Sequence, residues 1–399
     1  MSKTPRIMVA TKRKRKKETV ILRDELPALQ KGEVRFSVDK FGLSTNNVFY
    51  AQMGEAPFLK FFHVYPLKGH KDLVNVPAWG LGTIIESENS EFNVGERYRG
   101  FFHMTNVVQM KAKRSSDGLV AIGGSRDKLN KAYNRFVKVS DGPTSPFTGV
   151  GSKPDLAMVA APGALSGFVI YELLKMKDYY GGNSVVLTSA SSKLSLATAV
   201  CLQEARKNGS VKRMIGYTSA ANAEFVQSTG LFDDVLTYDQ SLPPNKGYQF
   251  VMIDVAGDAA IFQRNKTQLK KVLAVGGTHS NAKASTFTSF GASGVAKMVS
   301  GMVAPKSVAN WVDNKLNPKV EMFFAPSVMA TLVDKFGKNE FEKMGDAALN
   351  KFVTAAIDNG WITVVRGDEP EAIQESYDRV FRGKLPPSEA VILSLANTV

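Results

Sequence analysis

Ser184-Val185-Val186-Leu187-Thr188-Ser189-Ala190-Ser191-Ser192-Lys193-Leu194-Ser195 is the stretch on which the fold turns. Its continuous apolar start suits a strand buried on both faces. Ser191-Ser192-Lys193 makes a small polar turn, and apolar positions at helical spacing follow from Leu194 to Lys207, ending at Asn208-Gly209-Ser210. The pattern then repeats. Val211 to Gly216, Asp234 to Tyr238, Gln249 to Asp254 and Lys271 to Gly276 read as strands, with helices near Asn222 to Ser228 and Ala259 to Leu269 between them. Strands alternating with single helices need crossover connections, which give a parallel sheet covered on both faces. The fold class is therefore α/β with a Rossmann-like sheet, and a ligand belongs at the carboxyl ends of its strands.

Outward from this block the character changes. Residues 18 to 140 are rich in short β-branched or alternating segments, such as Val20-Ile21-Leu22, Glu33 to Val38, Gly82 to Glu86, Arg97 to Phe102 and Phe136 to Val139, separated by Gly and Asn turns. They predict a small, irregular barrel. Asp141-Gly142-Pro143-Thr144-Ser145-Pro146 is a breaker cluster suited to a junction, and Pro162-Gly163 suggests two short helices between Leu156 and Lys175. Beyond residue 328 the spacing predicts a helix over Glu340 to Asn359, a strand at Trp361 to Val365, a helix over Glu369 to Phe381 and a last strand at Ala390 to Leu393. The expected organisation is a basic segment over 1–17, a β-rich domain over 18–145, a nucleotide-binding domain over 146–315, and a tail over 316–399 that returns to the first domain.

The 399 residues are 44% hydrophobic, enough for two packed cores. The longest apolar runs fall well short of the roughly 20 positions that cross a membrane, so an intracellular, cytoplasmic protein without a membrane partner is expected. Cys201 is the only cysteine, which rules out an internal disulfide, and its apolar surroundings suit a buried structural thiol. With His63, His70, His103 and His279 dispersed, no metal centre is expected. The net charge is +14, and six of these positive charges lie in Lys12-Arg13-Lys14-Arg15-Lys16-Lys17. Such a run can contact phosphates, act as a localisation signal or simply be a solvated segment. Without an aromatic-interleaved RNA motif or zinc-finger spacing, a nucleic-acid partner is not expected. The positive excess instead favours a phosphorylated cofactor.

A dinucleotide diphosphate needs backbone N–H groups at a strand-to-helix turn and the positive end of a helix. The Val185 to Leu202 segment has that order, with Ser189, Ser192 and Ser195 where glycines would let the backbone curl tightly. Lys193 can neutralise phosphate or stay solvated. At the next strand end an acidic residue would clasp the ribose of NAD and repel a 2′-phosphate. Thr218 and Ser219 stand there instead, with Arg213, Lys193 or Lys212 adding positive field, which favours NADP(H). Ala256 and Gly257 let a ribose or diphosphate lie against backbone, and Asp254 either caps local N–H groups or touches ligand. Gly277 ends the fifth strand in the same permissive way.

The order of elements over residues 18 to 399 resembles the medium-chain dehydrogenase/reductase superfamily, especially its zinc-free quinone-oxidoreductase-like branch and an uncharacterised bacterial and fungal subgroup. Phe41-Gly42-Leu43-Ser44-Thr45-Asn46-Asn47 resembles the segment where zinc enzymes place a metal cysteine, and Pro77-Ala78-Trp79 the Gly-His-Glu metal motif, with Ser44 and Ala78 in place of ligands. Asn93 to Tyr98 resembles the Val-Gly-Asp-Arg-Val landmark. Leu187 to Ser195 matches the Ala-x-x-Gly-Gly-Val-Gly turn with every glycine replaced. Ile215 to Ser219 matches the adenosine-side loop, and Ser166-Gly167-Phe168 the Thr-Ala-Tyr segment on the nicotinamide side.

The resemblance implies a GroES-like catalytic domain, completed by the chain's end, before a Rossmann domain. It also implies NADP(H), a homodimer and a small-molecule substrate. The expected activity is hydride transfer to a small carbonyl, enone or quinone without zinc, with Ser44, Asn47 and Tyr50 as the available catalytic donors. Tyr50 can donate a proton or place an aromatic face, and Asn47 can touch ligand or cap a loop. The alternative is a catalytically reduced nucleotide-sensing or partner-binding protein on the same fold.

Overall fold

The computed structural model describes residues 3–56, 59–129, 131–139, 147, 152–275 and 319–396. It divides into two compact units, Met1–Val159 with Ile362–Val399, and Ala160–Trp361.

In the first unit, β1 (Thr4–Lys12) and β2 (Thr19–Leu26) form an antiparallel hairpin. This corrects the expectation of a separate basic segment over 1–17. Ile7, Met8, Val9 and Ala10 are buried, so the segment is core, and the basic run is the hairpin's end and tip. β3 (Glu33–Leu43) then opens the barrel, β4 (Leu73–Val74) pairs with the end of β1, and β5 (Pro77–Ser87), β6 (Arg97–His103), β7 (Val107–Ser115), β8 (Gly118–Ile122) and β9 (Arg135–Lys138) follow. Hydrogen bonding runs β3-β5-β6-β9-β8-β7 and closes from β7 back onto β3. Period-two alternation sends Phe36, Tyr98, Phe102 and Phe136 inward, with ring centroids 5.1–6.1 Å apart in edge-on and stacked pairs. Each such burial is worth about 1.5–3 kcal/mol.

A single helix, Ser152–Met176, replaces the two short helices expected there, and the division into units falls within it. Pro162 lacks an N–H, but the continuous apolar face carries the helix through it. This helix has the length and apolar character of a membrane span, and most of that stretch is buried inside the fold.

The second unit is built on β10 (Ser184–Leu187), β11 (Arg213–Thr218), β12 (Asp234–Thr237), β13 (Phe250–Asp254), β14 (Leu269–Ala274) and β15 (Val320–Met322). All pair in parallel, in the order β12-β11-β10-β13-β14-β15. Counted from the first strand this is 3-2-1-4-5-6, the doubly wound Rossmann order, with its switch point between β10 and β13. Every residue of β10 and β13 is buried, as their uninterrupted apolar sequences require.

β15 and the helices Ala325–Phe336 and Lys338–Asp358 stay in this unit, and only from Ile362 does the chain rejoin the first, later than the expected return near 316. There β17 (Glu389–Leu393) pairs antiparallel with β3, and β16 (Thr363–Gly367) lies parallel to β17. Arg366 and Lys40 both bond the buried carboxylate of Asp155, fixing β16 and β3 to the first turn of the long helix. The architecture is thus α/β, with a Rossmann sheet in one unit and a GroES-like β-rich domain in the other.

Candidate functional site

The carboxyl ends of β10, β11 and β13 converge on one turn. Thr188, fully buried, donates from Oγ1 to Asp254 Oδ1 at 2.8 Å and accepts from the amides of Val255 and Ala256 at 2.8 and 2.9 Å. The Gly257 amide also reaches Asp254 Oδ1, at 3.0 Å, and its φ of 71° needs a residue without Cβ. Asp254 therefore caps local N–H groups, the first of the two roles open to it, and the turn after β13 is rigid.

Ser189 keeps a left-handed φ of 48° although it carries a side chain. The Ala190 amide bonds Tyr217 O at 2.8 Å, and the Ser192 amide bonds Ser189 O at 2.8 Å. Ser192 caps the helix Lys193–Lys207 by accepting from the Ser195 amide at 3.2 Å, and Ser195 Oγ donates to Thr188 O at 2.9 Å. The three serines thus knit the turn internally. The helix start behind them points its partial positive charge at the crevice, reinforced by half-buried Lys193 at the first helical position. Beneath, Gly216 leaves room for the turn: an added Cβ would stand 2.9 Å from that of Ala190.

At the end of β11, buried Thr218 donates to Ser191 Oγ at 3.4 Å, which also accepts from Asn222 at 3.2 Å, and Ser219 is half-buried just beyond. Arg213 and Lys212 are not here. They lie at the amino end of β11, where Arg213 pairs with Asp234 at 2.6 Å, so they add no field at the crevice. Ser166 Oγ donates to Pro162 O at 2.8 Å within its own helix. Gly277 lies outside the described residues.

Two residues here were read from the sequence only as turn and strand, not as part of the site. Ser191 bridges β10 and β11 as described. Tyr238, immediately after β12, is hydrogen-bonded to the side chain and backbone of Ser189, and burial raises its phenol above the usual range. Arg264 holds the Tyr238 carbonyl at 2.6 Å. The signal was present: Tyr238 stands at the carboxyl end of a parallel strand, where side chains reach the crevice.

In the first unit, Ser44 caps the helix Thr45–Gln52 in a reciprocal box with Asn47: the Ser44 amide donates to Asn47 Oδ1 at 2.8 Å, and the Asn46 amide reaches Ser44 Oγ at 3.3 Å. Buried Asn47 also donates from Nδ2 to Pro77 O at 2.9 Å, so both ends of its amide serve the backbone. Tyr50 is buried against Phe61 and Phe101, with centroids 4.9 and 5.1 Å away, and accepts from Trp79 Nε1 at 3.0 Å. Burial drives its pKa far above the phenol range, so it keeps its proton. The geometry gives these three residues structural work. Cys201 is buried, its thiol pushed up to about 12 by burial. Among the described residues no three His, Cys, Asp or Glu side chains gather as metal ligands.

Similar folds occur in solved structures. The yhdH oxidoreductase of Salmonella enterica, crystallised with NADP, is 13% identical with a TM-score of 0.52, covering 98% of this chain and 99% of its own. CurA of Vibrio vulnificus, crystallised with NADPH, is 12% identical with a TM-score of 0.56 and covers 98% of each chain. The human synaptic vesicle membrane protein VAT-1 homolog-like protein is 14% identical with a TM-score of 0.50, covering 99% and 100%. At such identities the likeness establishes the fold alone. No curated protein sequence matches the chain. A family model described as "Protein of unknown function (DUF2855)" matches residues 41–386, most of the chain and parts of both units. The chain therefore belongs to the DUF2855 family.

Proposed function

We propose that the protein binds NADP(H) at the carboxyl edge of the parallel sheet and transfers hydride to a small carbonyl, enone or quinone without zinc. The observation that carries this reading is the left-handed Ser189 turn leading into a serine-capped helix at the switch point of a 3-2-1-4-5-6 sheet. That geometry would present the helix dipole to a diphosphate even though every glycine of the turn is replaced. Structures of the same fold crystallised with NADP or NADPH support the choice of cofactor.

Ser189, Ser192, Lys193, Thr218, Ser219, Ala256 and Gly257 would hold the diphosphate and ribose, with Ser166 on the nicotinamide side. The absence of an acidic side chain at Thr218-Ser219 leaves a 2′-phosphate without a repelling carboxylate. The cofactor, when bound, supplies the hydride. Ser44, Asn47 and Tyr50 are the proposed positioning residues for the acceptor, with rate coming from orientation rather than from a dedicated acid. A homodimer is part of the proposal.

A second reading has its own observation. The Ala190 and Ser192 amides are already bonded inside the protein, which suits a nucleotide sensor that binds without turnover. Titration with NADPH and NADH followed by nicotinamide fluorescence, then NADPH oxidation across a panel of enones, quinones and aldehydes, separates the two. The reductase reading expects saturable binding with NADPH preferred and turnover of at least one acceptor. Binding without turnover selects the sensor, and no saturable binding of either nucleotide removes both.

A further inference from the structure

The basic run Lys12 to Lys17 has no part in the reductase reading, and the fold gives it a definite shape. The Lys12 amide bonds Glu18 O at 2.9 Å and the Glu18 amide bonds Arg15 O at 2.8 Å, which closes the tip of the β1–β2 hairpin. Tyr377 donates to Lys16 O at 2.9 Å and anchors the tip from below. The Arg13 amide bonds Asp72 O at 2.8 Å, and its side chain bonds Lys71 O at 2.9 Å, so the loop before β4 is pinned alongside. That contact adds the exposed Lys68 and Lys71 to the exposed Lys14, Arg15 and Lys17.

The expectation against a nucleic-acid partner rested on the lack of an RNA motif or zinc-finger spacing, and phosphate contact was one of three roles open to the run. The run is one side of a fixed ridge. The nearby carboxylates are Glu18, which serves both Lys12 and Arg15, Glu55, which serves Arg13, and the exposed Asp72 beside Lys71. Among the described residues, Lys14, Lys17, Lys68 and Lys71 make no ion pair. Gathering like charges works against the compact state, a cost that a polyanionic partner offsets.

We propose that this ridge docks the phosphate backbone of a nucleic acid, without reading its sequence. Lysines act as separate point charges, suited to spaced phosphates rather than to base edges. A lipid surface fits less well: a basic cluster alone is drawn to anionic headgroups, but stable attachment takes a second, apolar signal. Phe62 is buried here under Arg13 and Lys16, which lie 6.0 and 5.7 Å from its ring centroid, and Leu67 is half-buried.

The test uses the full chain and a fluorescent mixed-sequence DNA duplex, with anisotropy measured over a range of salt. Each phosphate contact contributes about −0.9 to the slope of log affinity against log salt. Replacing Lys14, Arg15 and Lys17 by Ala should lower affinity at least about tenfold at low salt and flatten the slope by roughly 2–3. Replacing Lys68 and Lys71 by Ala should flatten it by about 2. A charge-matched control, Ala at the exposed Lys207, Lys212 and Lys246, should leave both unchanged. Thermal unfolding of each variant confirms that it is folded. The proposal is overturned if the duplex is not bound, if the control loses as much as the ridge variants, or if phosphatidylserine vesicles are bound and the duplex is not.

Discussion

Ser189 holds a backbone conformation that L side chains resist, at a cost of roughly 1–2 kcal/mol. Its bonds to Tyr238 supply part of the compensation, since Tyr238 is itself fixed through Arg264. Two substitutions separate the conformational cost from the bond. Ser189→Ala keeps the strained Cβ and loses the side-chain bond, and urea unfolding should show a loss of about 1–2 kcal/mol. Ser189→Gly loses the same bond but relieves the strain, so it should fall within about 1 kcal/mol of the parent. If alanine were the better tolerated, the left-handed turn would not be under strain. Tyr238→Phe removes the bond from its other end. In a double-mutant cycle with Ser189→Ala the losses should not add, and full additivity would show that the pair is not coupled.

At the scale of elements, the helix Thr45–Gln52 begins on a capping box. Ser44→Ala should cost about 1 kcal/mol of stability. Asn47→Ala strands the Pro77 carbonyl as well, and should cost about 1–3 kcal/mol in the same urea measurement. A variant that kept full stability while losing activity would instead return Asn47 to the chemistry. The box was legible in retrospect, since Ser followed three residues later by a side-chain acceptor is a cap signature. The resemblance to a metal-site segment pointed elsewhere.

The parallel strands were the most legible elements, because burial on both faces writes an uninterrupted apolar run into Val185-Val186-Leu187 and Phe250 to Ile253. β1 was hidden because its apolar centre, Ile7 to Ala10, runs directly into six basic residues that look like a tail. β7 and β8 were missed because one face of that hairpin is solvated, so Lys111, Lys113 and Arg114 interrupt the pattern. Pro162 suggested a break that the apolar face of Ser152–Met176 overrides. At the crevice, residue identity gave the serine turn, but Tyr238 comes close to Ser189 only through the order in which the strands lie side by side.

At the scale of the whole molecule, acid should unfold the protein in two stages. His103 is buried and its Nδ1 has no hydrogen-bond partner among the described residues; burial first, then the charges of Arg6 and Arg126, hold its pKa well below the usual value. A base depressed in the folded state contributes stability that is whole above its unfolded pKa of about 6.5 and declines as pH falls below it. Glu96 behaves as a depressed acid. Burial works to raise it, but hydrogen bonds from Lys138, Tyr98 and Arg114 bring it down to about 2. Its contribution is whole above its unfolded pKa of about 4.3 and is lost as pH drops towards its folded value. The urea midpoint should therefore fall below about pH 6.5 and again below about pH 4.3. His103→Gln should remove the first decline and leave the second, whereas an unchanged first decline would assign it to another group.

The functional account rests on one location, the carboxyl edge of the parallel sheet, as the seat of a dinucleotide. Amide hydrogen exchange of the full-length protein with and without NADPH tests it most directly. Protection should rise over Thr188 to Leu196, at Thr218 and Ser219, and over Val255 to Gly257. Unchanged exchange at saturating NADPH, or protection confined to segments away from these strand ends, would contradict it.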